Sequence, residues 1–160
     1  MPPAIAMPTP MKPASAVLIG TGARPLRVTV LRMVRLRAAK VAGIAADIPE
    51  LEVDDPSGAD TLVLGWGSTY GAIGAAARRV RASGRKVATA HLRHLNPFPR
   101  NTGEVVRAYD QVLVPEMNLG QLRMLIRSEY LVDVAGYNKV RGRPFRATEL
   151  ADAITALVDS

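Results

Sequence analysis

The fold class predicted by this sequence is α/β: three layers, α/β/α, around a mostly parallel sheet of about five strands. Three observations predict it. Short unbroken apolar runs such as Leu62-Val63-Leu64 suit strands buried on both faces. Stretches with apolar residues three and four apart lie between those runs. Glycine or proline punctuates nearly every junction. Strands alternating with helices in this way place ligand and partner contacts at the loops after the strands' carboxyl ends.

The elements follow in order. Six of the twelve prolines fall in residues 1–25, so residues 1–27 read as a disordered lead-in. Residues 28–46 form a basic linker helix, with Leu31, Val34, Leu36 and Val41 on a broad apolar face. Residues 47–160 form the α/β body. Leu51–Val53 suits a short edge strand, and Thr61–Leu64 the first buried one. Gly65–Gly71 turns into a helix over Ala72–Ala82 that Gly84 ends in a left-handed conformation. Lys86–His91 is the next strand, followed by a loop held by Pro97 and Pro99. Asn101 and Glu104 make a capping-box start for a helix running to about Asp110. Gln111–Val114 is a strand stopped by Pro115. A helix over Leu119–Ser128 buries Leu122, Leu125 and Ile126. Val132–Ala135 is the last strand, Tyr137–Arg146 a polar loop, and Thr148 the cap of a final helix carrying Leu150, Ile154 and Leu157.

Charge is unevenly placed. The net charge of +7 lies entirely in residues 1–46, which hold seven cations and no acid; the rest balances fourteen against fourteen. A basic helix without interleaved aromatics reads as a solvated surface, and no nucleic-acid partner is expected. A contact between this arm and nucleic acid is the third reading, recognisable by its salt dependence. No run is long enough to span a membrane, and residues 1–25 make a poor secretory signal. The absence of cysteine excludes disulfides, thiolate metal sites and cysteine-held iron–sulfur clusters in these residues. A cytoplasmic setting is the expectation.

Four loops carry the candidate chemistry. Gly65-x-Gly67-x-x-x-Gly71 is one residue too long for a dinucleotide fingerprint, and His91 stands where a ribose-binding acid belongs. Its glycines suit a tight strand-to-helix turn; weak anion binding through Gly67 and Ser68, with Lys139 and Arg141, is the second reading. Ser68 lacks the nucleophile-elbow spacing. His91 and His94 are three apart but lack further ligands, so no metal site is expected. Glu116 and Asn118 follow a strand and open a helix, either as caps or as presented contact groups. Tyr137–Phe145 gathers three cations with two aromatics, which points to a contact role. No catalytic residue emerges.

The residues Leu62–Gly71 (LVLGWGSTYG), His91–Pro99 (HLRHLNPFP), Pro115–Leu122 (PEMNLGQL) and Gly136–Gly142 (GYNKVRG) occur in an order that resembles the alpha subunit of 2-oxoacid:ferredoxin oxidoreductases. The 2-oxoglutarate (KorA-type) branch is the nearest match, from about Val28 to Val158.

That resemblance implies a transketolase C-terminal-domain-like fold. It implies a parent complex that uses thiamine diphosphate, Mg2+, CoA and iron–sulfur centres or ferredoxin to decarboxylate a 2-oxoacid oxidatively. The family's catalytic residues find no matching positions here, and no cofactor is expected on this chain itself. The expected role is structural, in a truncated chain inactive alone, contacting the beta subunit and the missing alpha-subunit domains. Contact candidates are His91, Arg93, His94, Asn96, Glu116, Asn118, Gln121, Tyr137, Asn138, Lys139 and Arg141. An independent anion- or nucleotide/CoA-binding module is the alternative.

Overall fold

The computed structural model describes residues 26–160; the expected disordered lead-in lies almost wholly outside them. The chain divides into two units between Leu36 and Arg37, inside helix α1 (Leu26–Ile44). From residue 29 to 44 every α1 side chain is exposed, Leu31, Val34, Leu36 and Val41 included. No helix among the described residues is long and apolar enough to cross a membrane.

The body carries five strands: β1 (Val53–Asp54), β2 (Thr61–Trp66), β3 (Ala88–Leu92), β4 (Gln111–Glu116) and β5 (Ala135–Asn138). They lie in the order β1-β3-β2-β4-β5. Every pairing is parallel except β1 with β3. The helices are α2 (Tyr70–Ala82), α3 (Thr102–Arg107), α4 (Gln121–Tyr130) and α5 (Ala147–Val158). The expected α/β architecture is therefore present.

Side-chain alternation along the central strands divides the core into two layers. Leu62, Leu64, Ala88, Ala90, Leu92, Val112 and Val114 pack with Val106 of α3 and with Leu122 and Ile126 of α4. Val63 and Leu113 point the other way, onto Ile73, Ala76 and Val80 of α2 and Leu150 and Ile154 of α5. Glycine and alanine along α2 let it lie close on β2. Gly65 requires this closeness: a Cβ there would collide with the Ile73 side chain.

Several boundaries differ from the sequence pattern for identifiable reasons. β4 runs through Pro115 because its pairing with β2 ends at Leu113; from there only β5 lies beside it, and the missing proline N–H interrupts no ladder on the β2 side. The last strand is Ala135–Asn138 rather than Val132–Ala135. Leu131 ends α4 at a φ of 55°, and buried Val134 anchors the intervening turn in the core. This converts the first part of the expected 137–146 loop into strand.

Leu125 is 48% exposed, since α4 turns Leu122 and Ile126 into the core and Leu125 to solvent. Asn101 does not cap α3 with its side chain. It instead accepts from the Leu51 amide at 2.7 Å and donates to the Leu51 carbonyl at 3.0 Å, pinning the approach to β1. α3 ends at Arg107. At α5 the cap position is Arg146, not Thr148, and Glu149 folds back to accept the Arg146 amide at 2.9 Å.

Candidate functional site

All four sequence motifs meet the carboxyl ends of the parallel strands, but they divide into two dissimilar halves. The first half follows β2 and β3. Gly67, at a φ of 58°, begins a 3-10 turn through Ser68 to Thr69. Thr69 fastens the turn: its hydroxyl donates to the Trp66 carbonyl at 2.8 Å and accepts the Trp66 amide at 3.2 Å. Ser68 and Tyr70 are left exposed where α2 begins.

His91 stands one strand away, since Gly65 of β2 pairs with His91 of β3. Its half-buried ring meets Tyr70 edge to face, with centroids 5.0 Å apart. Burial lowers the imidazole below its ordinary value of 6.5; a backbone hydrogen bond with Gly67 opposes that shift and the Arg93 charge adds to it. At neutral pH His91 is uncharged. Arg93, His94 and Asn96 lie beyond it, all exposed, before the cis Asn96–Pro97 peptide.

These groups border a groove of about 970 Å³ on the α2 side of the sheet. On this face Thr89, His91 and Val53 are only half-buried. Tyr70, Gly74 and Arg78 form one wall and Pro49–Asp54 the other, with Arg93, His94 and Pro99 at one end. Sequence reading missed Tyr70, Arg78 and the acidic wall of Glu50 and Glu52. The available signal for Tyr70 was a large aromatic at a glycine-framed helix start, where nothing local could bury it.

The second half follows β4 and β5, and its polar groups are occupied internally. Glu116, a candidate surface contact, has no exposed area. Its carboxylate accepts the Leu122 amide at 2.8 Å and the Arg123 amide at 3.1 Å, closing the first turn of α4. Asn118 accepts the amides of Gly120 and Gln121 at 2.7 and 3.1 Å. Gly120 holds a φ of 93° under the side chain of Asn138. Gln121 itself is exposed.

Lys139 bonds the Glu149 carboxylate and the Pro144 carbonyl. That bond is the main cause of a lowered Glu149 carboxyl pKa. Tyr137 lies against buried Phe145, with centroids 5.6 Å apart. The loop's two aromatics and its lysine thus fasten it to α5. Arg141 is exposed, as is Asn138.

The implied cofactors can be set against these side chains. Thiamine diphosphate held through Mg2+ requires converging oxygen ligands, yet no three metal-ligating side chains cluster among the described residues. Buried side-chain polar atoms there all have partners, so none is left aimed at a ligand. These residues do not fit that group, and no reaction step is routed through it. Of the anion candidates, Lys139 is engaged by Glu149, while Gly67 and Ser68 stand exposed at a different loop. Among the described residues no serine or threonine hydroxyl is hydrogen-bonded to a histidine or a carboxylate, and the β2–β3 rim presents exposed groups of mixed charge.

The family model for pyruvate:ferredoxin oxidoreductase core domain II matches residues 59–150, more than half of the chain. The chain is 58% identical over 125 residues to 2-oxoglutarate oxidoreductase subunit KorA of Mycobacterium tuberculosis, covering 78% of this chain and 19% of that protein. It is 30% identical over 142 residues to 2-oxoacid:ferredoxin oxidoreductase 2, subunit alpha, of Aeropyrum pernix, covering 85% and 22%. The chain therefore spans about a fifth of the length of these relatives.

Among solved structures, 2-oxoglutarate:ferredoxin oxidoreductase from Magnetococcus marinus superposes with a TM-score of 0.74 at 28% identity. That match covers 84% of this chain and 24% of the other, which was solved with 2-oxoglutarate, coenzyme A and succinyl-CoA bound. A split-gene transketolase, 19% identical with a TM-score of 0.51 over 68% of this chain and 41% of its own, shares the fold. The family model and the 58% identity together establish that this chain belongs to the pyruvate:ferredoxin oxidoreductase core domain II family, as a KorA-type alpha-subunit domain.

Proposed function

We propose that this chain acts as a structural, subunit-contacting domain of a thiamine-dependent 2-oxoglutarate:ferredoxin oxidoreductase and does not catalyse the reaction alone. The observation that carries the proposal is 58% identity with a KorA subunit of which the chain covers only 19%. The side-chain geometry supports it: the β2–β3 rim holds exposed groups around a groove but assembles no reacting centre.

In this reading, His91, Arg93, His94 and Asn96 face the remaining alpha-subunit domains or the beta subunit, and the β4–β5 loops hold the rim in shape. CoA, thiamine diphosphate with Mg2+, and the electron-transfer centres belong to the rest of the complex, which works in the cytoplasm. His91, neutral at pH 7 and edge-on to Tyr70, suits a packed contact, whereas Arg93 and His94 suit charged partners.

Reconstitution tests this. The remaining alpha-subunit segment and the beta subunit, expressed separately, should co-elute with this chain, and Arg93→Glu should weaken the association. Turnover of 2-oxoglutarate with CoA and ferredoxin should require the assembled mixture. Turnover by the lone chain, or failure to co-elute with either component, overturns the proposal.

A further inference from the structure

Helix α1 has little of its own to stabilise it. It carries no acid in its first turn and no base in its last, so neither end complements the helix dipole. Every side chain from residue 29 to 44 is exposed. A helix in water draws most of its stability from packing an apolar face, and α1 has such a face unused. Val30, Val34, Val41 and Ile44 are between 38% and 56% exposed.

These four residues and Arg37 follow one another at intervals of four and three, the spacing of a coiled-coil seam. Helical geometry places all five within an arc of about 80°, along a length of about 21 Å. Arg32 and Arg35 fall on the opposite side of the helix, and Lys40 borders the seam. The seam is apolar except at its centre, where Arg37 has Val34 and Val41 one turn away on either side. Arg37 forms no ion pair among the described residues. Residues 1–46 contain no acid that could neutralise it.

The place of Arg37 selects the occupant. It is the third of the five seam residues, so a second copy of α1, parallel or antiparallel, sets one Arg37 against the other. Two guanidinium groups brought together between apolar layers repel each other and lose their water. A carboxylate in that place supplies the missing charge and accepts the paired N–H groups of the guanidinium. Nucleic acid would engage the cations and leave the valines wet. A lipid surface requires cations and apolar groups on separate faces, whereas Arg37 lies inside the apolar one.

We propose that α1 pairs with a helix of a partner polypeptide whose apolar seam carries an aspartate or glutamate at its centre. Val30, Val34, Val41 and Ile44 pack against the partner's apolar positions, and Arg37 bonds the acid. The pairing does not depend on the assembly of the β2–β3 rim, and the full chain alone serves to test it. The probe is a labelled synthetic helix of about three heptads, with leucine at the seam positions, glutamate at the flanks and one aspartate at the seam's centre. Its twin has lysine at that centre. The aspartate peptide should bind about tenfold more tightly than the twin, and Arg37→Glu should reverse the preference. Arg37→Gln should abolish it. Val34→Ser combined with Val41→Ser should weaken binding of the aspartate peptide about tenfold. The substituted side chains are exposed, and circular dichroism checks that each variant keeps the fold; if Arg37→Glu unfolds, Arg37→Gln decides. Failure of the full chain to bind the aspartate peptide overturns the proposal. So does equal affinity for the two peptides, or a preference that Arg37→Glu and Arg37→Gln leave unchanged. Binding of duplex DNA or anionic vesicles in place of the aspartate peptide overturns it as well.

Discussion

The two halves of the carboxyl rim are built from similar residues and differ in where their polar atoms point. After β4 and β5, Glu116, Asn118 and Lys139 all close hydrogen bonds inside the domain. After β2 and β3, Arg93, His94 and Asn96 stay exposed beside a groove of about 970 Å³. A buried polar group must be bonded, so the first half is held at one geometry. An exposed charge has water as its partner and can exchange it for a protein at little cost. One half is held by bonds inside the domain; the other leaves its charges to water.

The largest effect that would break this contrast is at Glu116. Glu116→Ala leaves the Leu122 and Arg123 amides without their acceptor and opens a void beneath α4, which should cost about 3 kcal/mol. Glu116→Gln keeps one acceptor oxygen and should cost about 1 kcal/mol. Urea denaturation of both variants checks the order. A loss under about 0.5 kcal/mol for Glu116→Ala would place it among ordinary surface substitutions and remove the distinction between the halves.

Glu116 also shows how far the sequence could be read. The alternation of apolar runs with helical spacing gave the strand order's raw material, because buried parallel strands and amphipathic helices leave separate periods. The glycine turn at Gly65–Gly71 and the left-handed Gly84 were legible for the same local reason. What could not be read were contacts between residues far apart in sequence. Asn101 reaches Leu51 across fifty positions, so a cap signature there became a tether. The Pro115 stop failed because the sheet's register decides whether a proline interrupts a ladder. The four rim motifs were found, yet nothing local separated occupied Glu116 and Lys139 from exposed Arg93 and His94. Tyr70 and Arg78 went unseen because the walls of the groove come from stretches apart in sequence.

A smaller change sharpens the contrast from the other side. Gly65→Ala places a methyl group against Ile73 and 3.0 Å from both His91 Nδ1 and Thr69 Oγ1. Ile73 is buried, so its movement disturbs the α2 layer, and the expected loss is about 2 kcal/mol. The displacement also reaches the His91–Tyr70 contact, so the imidazole resonances should shift in an NMR spectrum. Unchanged stability with unchanged His91 resonances would mean that the groove wall tolerates motion that the close packing of β2 and α2 forbids.

The smallest effect comes from the titration of His91. Its folded-state pKa is lowered from 6.5, chiefly by burial. Between that lowered value and 6.5 the unfolded chain therefore binds more protons than the folded one. Stability linked to His91 is fully present above pH 6.5 and declines as pH falls through 6.5 towards the folded value. The ring is half-exposed, so the slope is shallow. His91→Gln should flatten it; thermal melts of wild type and His91→Gln between pH 7.5 and pH 5 compare them. Equal slopes in wild type and His91→Gln would remove His91 as the coupling group. A partner seated in the groove would bury the ring further and steepen the slope, so the same comparison in the assembled complex shows whether the open half of the rim is the half that becomes covered.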